Sequence, residues 1–207
     1  MESLDINTAL DIVSRVGETS FHHLAGMLMA SKFYHSLATH PIVLRHVCLQ
    51  PFTTNAALIN AGSLYRSFFV KCLQANNPTA VYLESIRLSV QIGRAEDGLH
   101  LLSSIGHFPP QAPFARALLQ VCLGFYPDAL HSIDRFMSAT GSFRAADAIG
   151  STVFRHILQI GPVKIRSHSD TWRYDDIPAC LGTGCGIDSR CRLCFLYWFS
   201  VMFLLLC

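Results

Sequence analysis

Apolar residues recur along most of this chain with the 3.6-residue period of an amphipathic helix. Over residues 5–17 they are Ile6, Ala9, Leu10, Val13 and Val16, one face of a helix whose first turn Asp5 or Asn7 can cap. Gly17 stands where a helix would close on a left-handed residue. A second helix is expected from Thr19 or Ser20, with Phe21, Leu24, Ala25 and Leu28 on one face and His22 and His23 on the polar side. A third, Lys32 to Ala38, presents Phe33 and Leu37. It stops at Thr39-His40-Pro41, because the residue before a proline is driven out of the helical region. Ile42-Val43-Leu44-Arg45-His46-Val47-Cys48-Leu49 then leads into Pro51. Three short helices within about 45 residues cannot bury their own apolar faces well, and such a unit needs a partner.

Further along, Thr53-Thr54-Asn55 and Ala75-Asn76-Asn77-Pro78 bracket a predicted helix with Leu64, Tyr65, Phe68, Phe69 and Leu73 on one side. Asn76-Asn77-Pro78 is a turn and helix-start signal. It marks the expected boundary with a repeat region, and Pro51 to Thr54 is the competing one. Beyond it an internal repeat emerges when residues 83–102 are laid over 114–133. Leu88 falls on Leu119, Val90 on Val121, Gly93 on Gly124, Asp97 on Asp128, Leu99 on Leu130, His100 on His131 and Leu102 on Ile133. Each unit reads as a helix, a turn at the glycine and a second helix opening near the aspartate, close to the ~34-residue tetratricopeptide period. The first unit sets Ala80, Leu83, Ile86, Arg87 and Val90 on one helix and Gly98, Leu99, Leu102 and Ile105 on the next. Small residues at Ala80, Gly98, Ala115 and Ala129 let paired helices approach, and Phe143 to Leu158 supplies a third, degenerate unit. Such arrays bind extended peptides or protein surfaces. His100 and His131 read as repeated solvent-facing or capping residues.

Composition narrows the picture. Sixteen Lys and Arg against 14 Asp and Glu give the 207 residues a net charge of +2, too little to point to nucleic acid or an anionic membrane. An apolar share of 51% excludes a disordered linker. The opening Met1-Glu2-Ser3-Leu4-Asp5 lacks the basic start of a secretory signal and is too acidic for a transit peptide. Asn77-Pro78-Thr79 is no glycosylation acceptor, because proline sits in the middle. The eight cysteines therefore read as reduced thiols or metal ligands, and the expected location is cytoplasm or nucleus. Cys48, Cys72 and Cys122 lie in apolar stretches as small core residues. No nucleophile elbow, phosphate loop, dinucleotide fingerprint or paired-carboxylate arrangement is present, so an enzyme is not expected.

Cys180, Cys185, Cys191 and Cys194 are spaced C-x4-C-x5-C-x2-C, with Gly182, Gly184 and Gly186 freeing the loop around the second. Zinc takes four thiolates or imidazoles in a tetrahedron, and pairs at these spacings reach it across a tight turn. The short gap between the pairs would make the whole a compact knuckle, with His168 and Cys207 as spare ligands. Reduced surface and core thiols are the other reading. After the cluster, Leu193 to Cys207 is uncharged over 15 residues. As a helix it reaches about 22 Å, short of the ~30 Å hydrocarbon core, so a buried element is preferred to a membrane anchor.

Leu4 to Leu49 resembles an F-box, in the form carried by a family of plant F-box proteins with a helical-repeat domain behind it. The matching residues are Ser3-Leu4, the helix from Ala9 to Gly17, the second helix from Ser20-Phe21, the pair Ser31-Lys32 and the exit from Pro41 to Leu49; a Leu-Tyr-Arg at 64–66 extends the likeness. Leu4-Asp5 stands where the family opens Leu-Pro, and Ser31 where it often carries cysteine. Related family members also look Cys-rich toward the C-terminus. The resemblance implies a non-catalytic substrate receptor. Its F-box helices would dock on a Skp-type adaptor of a cullin–RING ubiquitin ligase, and it would present a protein substrate for ubiquitination. Mapped by position, the adaptor-facing set is Leu4, Ile6, Leu10, Ile12, Val13, Leu24 and Leu28. The expected architecture is all-α. It comprises an F-box over residues 1–50, a connecting helix over 51–77, solenoid-like tetratricopeptide-type repeats over 78–158, and an irregular Cys-rich tail with a hydrophobic end over 159–207. A free-standing helical-repeat scaffold and a tail-anchored membrane protein are the alternatives.

Overall fold

A computed structural model of the chain describes residues 5–105, 109–162, 177–181, 184–185 and 190–207, and these are all-α. Leu4 and His168, with Gly182 and Gly186, lie outside the described residues. The chain divides into two compact units, Met1–Leu83 and Glu84–Cys207.

The first unit opens with α1 (Ile6–Thr19), α2 (Phe21–Ala30), α3 (Lys32–Ala38) and α4 (Pro41–His46). Polar caps set their starts. The Asp5 carboxylate accepts from the Asn7 and Thr8 amides, the Ser20 hydroxyl accepts from His22, and the Ser31 hydroxyl accepts from Tyr34. Asp5 thus supplies the helix entry by hydrogen bonding rather than by the fixed φ of a proline. Gly17 does not end α1, contrary to the expectation from sequence. It is buried inside the helix, where an added Cβ would stand 3.3 Å from Leu24 Cδ1 and 3.6 Å from Val43 Cγ1. Its carbonyl also accepts from the Cys48 amide. Close approach is the reason for this glycine, and Ser20 closes the helix.

Instead of one connecting helix over residues 51–77, the structure has α5 (Gln50–Thr54), a 3₁₀ turn (Ala56–Ile59) and α6 (Arg66–Gln74). Leu64, expected on the apolar side, is 95% exposed ahead of α6. Asn60 and the turn around Gly62 break the period there. The segment nonetheless covers the N-terminal helices from within the chain. Phe21 lies 5.3 Å from Phe52 and 5.5 Å from Phe68 between ring centroids, and Phe52 lies 5.6 Å from Phe69. Residues 1–50 and 51–77 therefore share one core.

That core is tied off by Asn77, which is 2% exposed. Its side-chain amide nitrogen donates to the carbonyls of Leu44, Arg45 and Val47 at 3.0–3.1 Å. Its Oδ1 accepts from the Thr79 and Ala80 amides and caps α7 (Pro78–Val90). The expected boundary at 76–78 is a turn, with Asn76 in the left-handed region at φ 57°, but compactness divides the chain later, within α7.

The second unit continues through α8 (Ala95–Ser103), α9 (Ala112–Cys122), α10 (Tyr126–Thr140), α11 (Phe143–Ile160) and α12 (Arg192–Leu206). The offset read in the sequence has a geometric counterpart. Gly93 and Gly124 turn at φ 76° and 79°, and the helices after them start at Ala95 and Tyr126, again 31 residues apart. Asp97 and Asp128 both fall in first turns, where the helix dipole favours a negative charge. Gly98 is buried where a Cβ would collide with Ser89 Oγ and stand 2.6 Å from the Ser85 carbonyl oxygen, the close approach its size suggested. Arg87, placed on the inner face, is paired with Glu84 at 2.6 Å, both almost covered. His100 and His131 are exposed.

The apolar run after the cysteines is α12, and it is core. Phe195 and Phe199 pack on Phe114 at 5.6 and 5.0 Å, and Phe195 also meets Phe136 and Phe143. Phe199 lies 5.4 Å from Phe154 and against Gly150, where a Cβ would meet its ring at 2.6 Å. Among the described residues no helix is long and apolar enough to cross a membrane.

Candidate metal centre and docking residues

The four cysteines named from their spacing come together. Their Sγ atoms all lie within 4.8 Å of one another, with Cys180 3.5 Å from Cys191 and 3.2 Å from Cys194. A tetrahedral zinc with bonds of about 2.3 Å requires ligand sulfurs about 3.8 Å apart, so the set is of the right size. None is disulfide-bonded.

Local structure explains how neighbours in sequence converge. The Gly184 and Cys185 amides donate to the Cys180 carbonyl at 3.2 and 3.3 Å, and the Leu181 amide donates to the Pro178 carbonyl. This turn brings Cys185 back beside Cys180. Cys191 is the N-cap of α12 and Cys194 its third residue, so helical geometry sets the second pair. The Cys191 amide donates to Cys185 Sγ at 3.4 Å, joining the two halves. Amide donors to sulfur are what a metal-bound thiolate needs to spread its charge.

The electrostatics fit a cation site. The Cys194 backbone N–H favours the Cys191 thiolate and lowers that thiol to about 7. Burial drives Cys194 the other way, upward. Four sulfurs this close cannot all ionise unaided; a divalent ion makes the fourfold thiolate favourable and releases protons as it binds. Around them, Arg190 stacks on Trp198 at 4.6 Å and Arg192 pairs with Asp134 of α10 at 3.1 Å, which anchors the cluster to the helices.

Cys207, a spare ligand in the sequence reading, is not part of the site. It is buried at the far end of α12, about 20 Å of helix away from Cys194. Cys72 and Cys122 are core thiols as expected, with Cys72 pushed up to about 12 by burial, whereas Cys48, expected in the core with them, is only partly buried.

The docking set scatters across environments. Val13 and Leu24 are buried in the unit's own core, Leu10 and Leu28 are half-buried, and Ile6 and Ile12 are 56% and 46% exposed. Val13 and Leu24 thus hold the helices together and do not face outward. Sequence reasoning missed other uncovered residues of the same helices: Met29 at 84%, with Phe33, Tyr34 and Ile42 about half exposed. Periodicity alone assigns Phe33 to an inward face. The pairing of Phe33 with Tyr34 outside, at 5.6 Å, shows that α3 has its covered face at Leu37 and Ala38 instead.

No family model, curated protein or solved structure matches this chain.

Proposed function

We propose that this chain is a non-catalytic substrate receptor that docks through its F-box-like helices on the Skp-type adaptor of a cullin–RING ubiquitin ligase. One observation carries the reading. The short helices α1–α4 leave Ile6, Ile12, Met29, Phe33, Tyr34 and Ile42 uncovered within their compact unit. Several large apolar side chains left exposed on a unit this small favour a surface that a partner covers. The second unit serves on the substrate side as a tetratricopeptide-like array of helix pairs, supported by the repeated glycine turns at Gly93 and Gly124. Cys180, Cys185, Cys191 and Cys194 hold a structural zinc ion that fixes the start of α12.

The adaptor pull-down that tests this must use exposed positions. Leu24→Asp would place a charge in the core and unfold the unit, so it reports on stability and not on docking. Ile12→Asp and Phe33→Asp should leave the far-ultraviolet spectrum and melting intact while lowering capture of purified adaptor at least tenfold. Leu158→Asp, exposed on the second unit, should change nothing. Absence of adaptor binding by the folded parent protein would leave the helical-repeat scaffold as the function.

A further inference from the structure

The four cysteines of the candidate metal centre do not share one environment. Cys191 is exposed, Cys180 and Cys185 are half-buried, and Cys194 is buried. A small polar solute arriving from water therefore meets Cys191 first. That residue is also the N-cap of α12, a 15-residue helix whose dipole favours negative charge at this end. Cys72, Cys122 and Cys207 are buried and closed to such a solute.

Reach decides what an oxidised Cys191 does next. Cys180 Sγ stands 3.5 Å from Cys191 Sγ. A disulfide bond is about 2.05 Å long, so a closing movement of about 1.5 Å joins the two sulfurs. Both are held in this relation by the local backbone. The Gly184 and Cys185 amides donate to the Cys180 carbonyl, and the Cys191 amide donates to Cys185 Sγ. Arg192, the next residue, is tied to Asp134 and keeps this end of α12 in place. Cys194 lies 3.2 Å from Cys180, but it is covered and is not reached first.

We propose that Cys191 is a site of reversible oxidation by hydrogen peroxide, resolved by Cys180 into a Cys180–Cys191 disulfide that expels the zinc ion. The Cys191 thiolate gives an electron pair to one peroxide oxygen. The O–O bond breaks, hydroxide leaves, and Cys191 becomes a sulfenic acid. The Cys180 thiolate then attacks the Cys191 sulfur, the S–S bond forms as the S–O bond breaks, and a second hydroxide leaves. Two thiolates have together lost two electrons, and one peroxide has become two hydroxides, which take protons from the solvent. Cys185 and Cys194 alone leave zinc two ligands short of its tetrahedron, so the ion departs. The loss of metal rests on the zinc reading above and the sulfur chemistry does not, so either can fail alone.

The test treats the 207-residue chain, its zinc content measured beforehand, with hydrogen peroxide. Zinc release is followed with a metal-binding dye, and the cluster by peptide mapping without reductant. Trypsin cuts after Arg190 and Arg192, which separates Cys191 from Cys194 and from the peptide holding Cys180 and Cys185, and fragmentation tells those two apart. A Cys180–Cys191 link is expected, with the loss of two hydrogens in mass, zinc released in step with it, and both reversed by dithiothreitol and added zinc. Cys191→Ser should slow disulfide formation at the cluster about tenfold. Cys180→Ser should leave Cys191 as a sulfenic acid that dimedone traps. Mapping on the parent chain decides the matter even where a variant misfolds. Thiols that survive peroxide, or a first-formed link that omits Cys191, would overturn the assignment. A metal-free parent that still forms the link would sink the zinc reading alone, and a zinc-loaded parent whose thiols survive would sink the oxidation site alone.

Discussion

Asn77 joins the end of α4 to the start of α7 with a single side chain. Three carbonyls take its amide hydrogens and two amides are taken by its oxygen, in a site almost closed to water. Replacing it by alanine strands buried backbone groups on both sides at once. The expected cost is about 2–4 kcal/mol, from the loss of a cap and of satisfied buried acceptors together. Urea unfolding should show this as a lower midpoint, and a change under about 0.5 kcal/mol would mean that backbone or water replaces the amide. Asn77 is legible in the sequence as a turn residue before proline, because that signal is local. Its partners near Leu44 are some 30 residues away, and nothing in the spacing points to them. Gly17 misleads for the same reason. A glycine at the end of an apolar period looks like a terminator, whereas here it is small because Leu24 and Val43 press on it.

Among the helices, the starts are the features easiest to read. Asp5, Ser20 and Ser31 cap helices close to where the pattern places their starts, since a cap is decided by the residue and its next three neighbours. The segment over 51–77 is harder. Apolar spacing continues through it, yet Asn60 and Gly62 divide it into a turn and a shorter helix. The apolar run 193–207 is legible as a buried element by its length, and the four cysteines by their spacing. What composition does not show is that the two depend on each other. Cys191 and Cys194 form the first turn of α12, so a metal there organises the helix that places Phe195 and Phe199 in the core. The purified protein is expected to carry about one zinc per chain by elemental analysis. Removing it with a strong chelator, or substituting Cys180 or Cys194 by serine, should lower Tm and should expose α12 to protease. Phe199→Ala should destabilise by about 3–5 kcal/mol, the range for deleting a buried aromatic ring, without changing the zinc content. Zinc at background level in undenatured protein would reduce the cluster to four plain thiols.

For the chain taken entire, the all-α class follows from the helical period and the scarcity of alternating segments. Its division into two compact units is harder to read. Contacts place helices α1–α4 and residues 51–77 in one unit, and their shared aromatic core of Phe21, Phe52, Phe68 and Phe69 has no sequence signature, because aromatic clustering is a tertiary property. That same unit buries part of the motif-mapped set. Val13 and Leu24 are buried inside the unit, whereas Ile6, Ile12, Met29 and Phe33 retain exposed apolar area. Burial of several such side chains, at about 25 cal/mol per Å² less the cost of association, is compatible with a stable complex.

Hydrogen exchange on this 207-residue chain, with and without purified Skp-type adaptor, reads docking peptide by peptide. Slowed exchange confined to α1–α4, with the second unit unaffected, is the predicted result. Exchange over residues 5–46 that stays the same at saturating adaptor would contradict it.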